Sequence, residues 1–302
     1  MDAAPATDPV SAATLASGVA AAARALAPSF GADARREAET LTLVCLGLSR
    51  SALVTSPDRP LDAVERARLA DWTRRRCSGE PLAYLAGERE FWSLPLRVSP
   101  AVLVPRPETE LLVERALAAG DARSGGQDRI TVLDLGTGSG AIALSVAAER
   151  PGWRITAVDR SKAALGVARD NAARLGLGQV EFVEGGWFAP LAGRRFAVIA
   201  SNPPYVAADD PVLGGDSLRH EPREALTPGL DALAALHDII DAAPRHLLPG
   251  GALLLEHGAT QGAAVRARLA ARGYAGIVSH RDPAGHERVT EARLPPDASP
   301  TR

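Results

Sequence analysis

Strand-like and helical segments alternate along the chain from about residue 132 onward. Short apolar runs predict strands over residues 132–135, 155–158, 180–183, 196–201, 252–256, 275–280 and 287–294. Apolar residues at helical spacing predict helices over residues 141–149, 162–175, 233–248 and 261–272. Such alternation is typical of a mostly parallel sheet with helices on both faces, because consecutive parallel strands need a crossover. The sequence therefore predicts an α/β domain with a seven-stranded, mostly parallel sheet.

The N-terminal part of the chain has a different pattern. Helical spacing begins at Leu15 and again at Ala34, on either side of a Pro-Ser-Phe-Gly break, and a third helix is predicted over residues 61–76. Beyond Pro81 the period changes to that of a short β-hairpin. A linker rich in glycine, serine and aspartate is expected over residues 121–128. We expect a disordered tail over residues 1–8, a helical domain over 9–86, a β-hairpin connector over 87–104, the α/β domain over 105–294 and a mobile tail over 295–302.

Net charge and cysteine content argue against several classes of protein. The formal net charge is -2 and the pI about 6.3, so the chain lacks the basic excess of most proteins that grip a phosphate backbone. Its compact basic run, Arg74 to Arg76, is typical of a solvated helix C-terminus, with a partner contact as the alternative. Cys45 and Cys77 have no disulfide or zinc-ligand spacing, so no metal site is expected. Without a signal sequence or a membrane-spanning run, we expect a cytoplasmic protein.

The first strand of the α/β domain leads into a glycine-rich loop, Gly136-Thr137-Gly138-Ser139-Gly140. Glycine is needed where the backbone takes a positive φ or lies directly against a ligand. Asp159 ends the second strand about 20 residues later, where a carboxylate can accept hydrogen bonds from a ribose. Its alternative role is to cap the following helix, with Ser161 as a competitor. The loop also matches the dinucleotide pattern G-x-G-x-x-A, so a nicotinamide enzyme stays open at this point.

The fourth strand ends in Asn202-Pro203-Pro204-Tyr205. The prolines cannot donate to a sheet ladder, so the strand stops at Asn202, at the edge where open α/β sheets bind ligands. Proline also fixes the backbone, which would hold the carbonyls of Asn202 and Pro203 in place before a ligand arrives. The Asn202 oxygen and the Pro203 carbonyl can then accept both protons of a planar nitrogen group while the Tyr205 ring packs on its face. A plain Pro-Pro turn after a strand is the alternative.

Together these loops distinguish a nicotinamide enzyme from a methyltransferase that uses S-adenosylmethionine. A G-x-G-x-G loop after a strand that carries Asp134, combined with Asn-Pro-Pro-Tyr, is the layout of class I S-adenosylmethionine methyltransferases that act on a planar nitrogen. A dehydrogenase would have no use for that tetrapeptide. Trp187 follows the third strand, where the adenine should lie, and either packs on the base or fills core. The chain is therefore predicted to be a Rossmann-like methyltransferase that uses S-adenosylmethionine.

Blocks outside the generic methyltransferase core add a family resemblance. They include Gly79 to Leu85, Glu90 to Trp92, Pro105 to Glu110, Glu221-Pro222, Leu254 to Gly258 and Glu287 to Val289. With the glycine loop and the tetrapeptide, they make the chain closely resemble the release-factor glutamine methyltransferases, the protein-(glutamine-N5) methyltransferase family also called PrmC or HemK. The resemblance extends from about Gly79 almost to Leu294.

The resemblance implies the partner, the reaction and the site residues. The helical domain would bind peptide-chain release factors, and the enzyme would methylate the glutamine of their Gly-Gly-Gln loop at N5. We expect a monomer that binds neither membrane nor, directly, nucleic acid. Ser139 stands where threonine is common, and Gly186 where an acid often precedes the tryptophan. By position, the residues that would bind S-adenosylmethionine are Gly136, Thr137, Gly138, Ser139, Gly140, Asp159, Trp187 and Asn202. Those that would hold the glutamine are Asn202, Pro203, Pro204 and Tyr205, with Asn202, Pro203 and Tyr205 catalytic.

Three alternatives stay open on the sequence. An adenine-N6 nucleic-acid methyltransferase would present the same amino geometry to the same tetrapeptide, but it would normally carry a basic surface. A glutamine methyltransferase for a ribosomal protein would share the chemistry. A non-catalytic nucleotide-binding module would leave the intact Asn-Pro-Pro-Tyr unexplained.

Overall fold

The computed structural model describes residues 12–124, 129–215 and 218–296. The tail expected over residues 1–8 lies outside these ranges, as do most of the tail expected over 295–302 and half of the linker expected over 121–128. The described residues up to Gly87, together with Leu218–His220, form one compact unit. The described residues from Glu88 onward, apart from that segment, form a second unit. None of the described helices has the length and apolar character needed to cross a membrane.

The first unit is helical. Its α-helices are α1 (Leu15–Phe30), α2 (Ala34–Leu46), α3 (Ala52–Thr55), α4 (Ala63–Cys77) and α5 (Leu82–Ala86). Capping boxes begin α1, where Thr14 and Ser17 exchange hydrogen bonds, and α4, where Asp62 and Glu65 do the same. The helical spacing that begins at Leu15 gives α1 one apolar face, and this face is buried, with Leu15, Val19, Ala22 and Leu26 all at 0% exposure.

The break predicted over Pro28 to Gly31 lies at the end of that stretch, at Gly31 and not at Pro28. Pro28 lies inside α1, which continues to Phe30 and ends at Gly31 with φ of 52°. A proline in the last turn removes one backbone hydrogen bond, so the turn can survive it when the rest of the helix is well packed. The short helices α3 and α5 were not predicted, because four or five residues are too few to show a helical period.

The second unit begins with a β-hairpin of strands β1 (Glu88–Phe91) and β2 (Leu94–Arg97). The turn residues Trp92 and Ser93 have positive φ, 51° and 59°, the signs of a type I′ turn. This conformation is costly for residues other than glycine. Hydrogen bonds hold it here, because the Trp92 backbone N–H donates to Glu110 Oε1 at 3.0 Å and its indole N–H to Glu149 Oε1 at 2.9 Å. The paired strands extend only from Glu88 to Arg97, so the hairpin is shorter than the connector expected over residues 87–104.

A seven-stranded sheet forms the centre of the second unit. Its strands are β3 (Thr131–Leu135), β4 (Arg154–Asp159), β5 (Glu181–Glu184), β6 (Phe196–Ser201), β7 (Leu247–Glu256), β8 (Ala275–Arg281) and β9 (Glu287–Arg293). Their order is β5-β4-β3-β6-β7-β9-β8, and β9 is antiparallel to both of its neighbours while the other pairs are parallel. The predicted α/β fold with a mostly parallel sheet is confirmed.

Apolar residues cover both faces of this sheet. Along β6, Val198 and Ala200 pack into one core cluster while Ile199 packs into the other, and all three are fully buried. This is the pattern of a central strand between two helical layers. The helices of this unit are α6 (Glu110–Ser124), α7 (Ala141–Glu149), α8 (Lys162–Leu175), α9 (Arg223–Leu226), α10 (Ala234–Ala242) and α11 (Gly262–Ala271).

One predicted helix boundary and one predicted linker boundary in this unit are wrong. The helix predicted over 233–248 ends as α10 at Ala242, because Pro244 has no N–H to donate to the carbonyl of Ile240. The Tyr274 hydroxyl donates to that carbonyl instead, at 3.1 Å. Helix α6 continues to Ser124, into the stretch expected to be linker. There the Arg123 guanidinium donates to the Pro249 carbonyl at 2.8 Å, which ties the helix end to β7.

Candidate active site

The carboxyl ends of neighbouring strands bring the predicted site residues together. In the register of the sheet, Leu135 pairs with Val158 and with Ser201, and Ser201 also pairs with Leu255. Ligands bind at such an edge where the strand order reverses, here on either side of β3. The residues that follow the paired positions lie side by side at this edge: Asp159, Gly136, Asn202 and Glu256.

A cleft of about 320 Å³ opens at this edge of the sheet. This volume is within the range of small-molecule and cofactor sites, about 300–1,000 Å³. The predicted site residues that line it are Gly136, Gly138, Asp159, Trp187, Asn202 and Pro204. The predicted residues that do not line it are Thr137, Ser139, Gly140, Pro203 and Tyr205.

Residues of the glycine loop that do not line the cleft hold the loop in shape. Gly140 has φ of 86°, and a Cβ there would come within 2.9 Å of Leu144 Cδ1. The Thr137 hydroxyl donates to Asp134 Oδ2 at 2.6 Å, and the N–H of Ala143 donates to the same oxygen at 3.2 Å. Asp134 therefore joins the loop to the first turn of α7.

Asp134 is fully buried, and its ionisation reflects that position. Burial raises the pKa of its carboxyl to about 7, against the hydrogen bonds from Thr137 and Ala143, while the charge of Asp159 adds to the increase. Its second oxygen, Oδ1, has no hydrogen-bond partner among the described residues. Asp134 is therefore a buried structural acid below the loop, and its state of protonation affects stability.

Asp159 is held by backbone donors at the cleft wall. Its Oδ2 accepts from the N–H of Gly138 at 2.9 Å and its Oδ1 from the N–H of Ser161 at 2.8 Å. Ser161, and not Asp159, caps α8, because the Ser161 side chain accepts from the N–H of Ala164. The carboxylate is thus oriented in advance, and each oxygen keeps a lone pair for a ligand hydroxyl.

Trp187 has an unusual backbone for a large residue, with φ of 44°. Such a conformation persists only where packing compensates its cost. The Trp187 ring packs partly into one core cluster, and it lies 3.5 Å from the position of a Cβ on Gly136. The ring therefore lines the cleft directly over the glycine loop, whereas the adjacent Phe188 is buried in the core.

The Asn-Pro-Pro-Tyr segment presents one amide to the cleft and anchors the rest. The Asn202 Nδ2 donates to Thr109 Oγ1 at 3.2 Å. Pro203 is buried, whereas Pro204 lines the cleft. The Tyr205 carbonyl accepts from Gln261 Nε2 at 2.9 Å, and its hydroxyl donates to Glu256 Oε1 at 3.3 Å. Burial and the nearby Glu256 raise the pKa of the Tyr205 hydroxyl, so it stays protonated and serves as a donor.

Comparisons with known proteins agree with this geometry. A family model described as the PrmC N-terminal domain matches residues 19–87, and one described as a methyltransferase small domain matches 109–229. The release factor glutamine methyltransferase of Burkholderia pseudomallei is 52% identical over 266 residues, which is 86% of this chain and 92% of that protein. The protein of the same name from Pseudomonas aeruginosa is 51% identical over 258 residues, 85% of this chain and 92% of that protein.

The chain belongs to the release factor glutamine methyltransferases. It is accordingly an enzyme of the methyltransferase class and not a nicotinamide dehydrogenase. The fold is shared more widely, since the crystal structure of a methyltransferase from Pyrococcus furiosus aligns with a TM-score of 0.50 at 21% identity. That alignment covers 67% of this chain and 89% of the other.

Several polar residues of this release factor glutamine methyltransferase were not predicted to take part in the site. Thr109 holds the Asn202 amide, and Glu256 accepts from Tyr205. Both lie in blocks that carry the family resemblance, and strand order would have placed Glu256 beside Asn202. Glu221 is nearly fully buried and accepts from the guanidinium of Arg106 and from the Val104 N–H.

Two further side chains make structural hydrogen bonds. Both ring nitrogens of His257 are engaged, one with the Gly258 carbonyl at 2.9 Å and the other with Thr290 Oγ1 at 2.8 Å. Burial lowers the pKa of this histidine, which favours its neutral form. The Asn171 amide bonds to the backbone of Arg97 and to the Ser139 carbonyl, so it links the hairpin to the glycine loop.

Proposed function

We propose that this enzyme transfers the methyl group of S-adenosylmethionine to the side-chain amide nitrogen, N5, of the glutamine in the Gly-Gly-Gln loop of peptide-chain release factors. The observation that carries the proposal is the position of Asn202. Its side chain lies at the carboxyl edge between the glycine loop and Glu256, lines the cleft, and has its nitrogen committed to Thr109. Its oxygen is then left to accept from a substrate amide.

The cleft residues fit S-adenosylmethionine. Gly136 and Gly138 have positive φ and carry no Cβ, so a ligand can lie against the backbone of the loop. The oriented Asp159 carboxylate would accept from the two ribose hydroxyls. The Trp187 ring would pack on the adenine, and Gly186 leaves open space beside it. When bound, S-adenosylmethionine supplies a methyl group already activated on a sulfonium.

The protein's own contribution is mainly alignment. The Asn202 oxygen and the Pro203 carbonyl would accept the two N–H groups of the glutamine amide and turn its nitrogen toward the methyl donor. Both acceptors stabilise the positive charge that develops on that nitrogen. The methylated nitrogen is acidic and can release its proton to water, so no strong base is required. The Tyr205 hydroxyl, held by Glu256, would fix the ring beside the amide.

We infer that the helical domain over residues 9–86 binds the release factor, and that the protein is a cytoplasmic monomer. The similarity of residues 19–87 to the PrmC N-terminal domain supports this partner. The alternative hypothesis, a nucleic-acid adenine methyltransferase, needs a basic surface. Each member of the basic run makes an ion pair: Arg74 with Asp71, Arg75 with Glu80 and Arg76 with Glu37. These ion pairs weaken the alternative hypothesis, because they neutralise the basic run.

The test is methyl transfer from labelled S-adenosylmethionine to an unmodified release factor and, in parallel, to adenine-containing single-stranded DNA. A release factor with Gly-Gly-Asn in place of Gly-Gly-Gln is the matched substrate control. Label on the Gly-Gly-Gln glutamine alone, located by mass spectrometry, supports the proposal. Label on DNA, or equal label on the Gly-Gly-Asn protein, refutes it.

Replacement of the strand-end amide tests its role in alignment. We expect Asn202→Ala to lower kcat by about 100- to 1,000-fold, the usual effect of losing one preorganised group at a developing charge. The Kd of S-adenosylmethionine should change far less, because the glycine loop and Asp159 remain. Equal losses in kcat and cofactor affinity would contradict the alignment role.

A further inference from the structure

The direction of the Asn202 side-chain amide matters for the proposed reaction. An amide has a donor end and an acceptor end of nearly the same shape, so its neighbours decide which end faces the cleft. A substrate amide nitrogen brings two N–H donors and needs an acceptor. If Asn202 turned its nitrogen toward the cleft, donors would face donors and the substrate amide would be repelled.

Thr109 determines which end of the Asn202 amide points away from the cleft. Thr109 is 4% exposed, and its Oγ1 accepts from Asn202 Nδ2 at 3.2 Å. A hydroxyl that accepts in this way still has its own proton to donate. If that proton were donated to Asn202, the amide would turn round. A second acceptor next to Thr109 is therefore needed to keep the direction fixed.

Glu256 offers such an acceptor. Glu256 is 1% exposed, and the nearby hydroxyls of Thr109 and Tyr205 act to lower the pKa of its carboxyl. The Tyr205 hydroxyl donates to Oε1 at 3.3 Å, whereas the buried Oε2 has no hydrogen-bond partner within the described part of the chain and is open to a further donor. An ionised carboxylate only accepts hydrogen bonds, so it fixes the direction of any chain of hydroxyls that ends on it.

We propose, on the basis of the proposed function, that Thr109 and Glu256 are positioning residues that keep the Asn202 carbonyl oxygen turned toward the substrate amide. Protons are donated in one direction along the chain. The Asn202 N–H donates to Thr109, and in the proposed arrangement the substrate N–H donates to Asn202 while the Thr109 hydroxyl turns to the unpartnered Glu256 Oε2. Neither positioning residue touches the reacting atoms.

Protonation of Glu256 would remove this direction. Burial raises the pKa of its carboxyl to about 7, and the hydroxyls of Thr109 and Tyr205 and the charge of Arg288 act against that increase, while Glu108 adds to it. A protonated Glu256 can donate to Thr109, whose hydroxyl can then donate to the Asn202 oxygen and reverse the amide. Turnover should therefore fall as the pH decreases through the neutral range.

The first experiment compares valine and serine at Thr109. Thr109→Val keeps the shape and removes the hydroxyl, and we expect kcat on the release factor to fall about tenfold, the value of one oriented hydrogen bond near a charge. Thr109→Ser should restore kcat to within about threefold of wild type. The Kd of S-adenosylmethionine should be unchanged in both. Thr42→Val is the matched control, because Thr42 is buried in α2 and its hydroxyl has no partner in the described structure.

The second experiment is the pH profile of Glu256→Gln. A glutamine can donate to Thr109, so kcat should fall at least tenfold and the acid limb of the wild-type profile should disappear. This variant decides the matter if Thr109→Val fails to fold. The proposal is overturned if folded Thr109→Val and Glu256→Gln both keep wild-type kcat, or if Thr109→Ser loses as much as Thr109→Val. A wild type that leaves the release factor unlabelled would instead refute the proposed function itself.

Discussion

Asn171 joins three parts of the second unit through one side chain. It lies on α8, is 1% exposed, and its Oδ1 accepts from the backbone N–H of Arg97 in the hairpin at 2.7 Å. Its Nδ2 donates to the Arg97 carbonyl at 3.0 Å and to the Ser139 carbonyl in the glycine loop at 2.9 Å. Replacement by leucine would keep the approximate volume and remove all of these hydrogen bonds.

The size of the loss follows from which partners water can reach. Ser139 is 3% exposed, so its carbonyl would be left buried and unpaired in Asn171→Leu. An unpaired buried group costs about 1–3 kcal/mol. Arg97 is exposed, so water can partly replace its two bonds, at about 0.5 kcal/mol each. We expect a total destabilisation of about 3 kcal/mol, or a Tm lower by about 6–12 °C for a unit of this size.

Urea and thermal unfolding of the full chain, followed by circular dichroism, measure this change. Ser145→Ala is the matched control, because Ser145 is also buried but bonds only within its own helix, to the Ala141 carbonyl at 2.7 Å. Its effect should stay within about 1 kcal/mol. The Kd of S-adenosylmethionine should also rise in Asn171→Leu, since the loop loses one of its anchors. A free energy of unfolding within about 1 kcal/mol of wild type in Asn171→Leu would refute the reasoning.

Three further predictions concern the cofactor side of the cleft. Gly140→Ala should destabilise the fold by about 1–3 kcal/mol, because φ of 86° is unfavourable for alanine and its Cβ would come within 2.9 Å of Leu144. Thermal melts measure this change, and an unchanged Tm would contradict it. Asp159→Ala should weaken S-adenosylmethionine binding about tenfold or more by calorimetry, and a change under about twofold would count against a ribose contact. The folded-state pKa of Asp134, raised to about 7 from 3.8, means that the folded protein keeps a proton that the unfolded chain releases. Its contribution to stability is therefore lost as the pH rises from about 4 to about 7, by an amount on the order of 4 kcal/mol. In urea titrations across that range Asp134→Asn should show a flatter pH dependence than wild type, and identical slopes would show that Asp134 does not titrate there.

The sequence allowed the sheet to be predicted because its strands are buried on both faces and bounded by helices. The run through Val198 and Ile199 to the prolines could be little else in a chain of this length. Segments without a helical or strand period of their own were harder to predict. The ends of α6 and α10 depend on contacts distant in sequence, such as the Arg123 bond to β7 and the Tyr274 bond that replaces a missing proline donor.

The cleft could be predicted in part for a similar reason. Positive-φ glycines, a strand-end acid and a strand-end amide each leave a local pattern, so Gly136, Asp159 and Asn202 were placed at one edge before strand order was known. Thr109 and Glu256 leave no such pattern. Threonine in a proline-rich turn is typical of a capping residue, and a glutamate at a strand end is typical of a surface residue, so their hydrogen bonds required the structure.

Strand order also suggests which residues act on cofactor binding and which act on the substrate amide. Asn202 follows β6, between the glycine loop after β3 and Glu256 at the end of β7. Asp159 and the loop lie on the β3 side, where a change should alter cofactor affinity. Thr109 and Glu256 contact the Asn-Pro-Pro-Tyr segment, and a change there should alter turnover while cofactor affinity stays the same. Asn202 lies between the two groups, because its side chain lines the cleft and is held by Thr109, so a single amide couples the position of the methyl donor to that of the acceptor nitrogen.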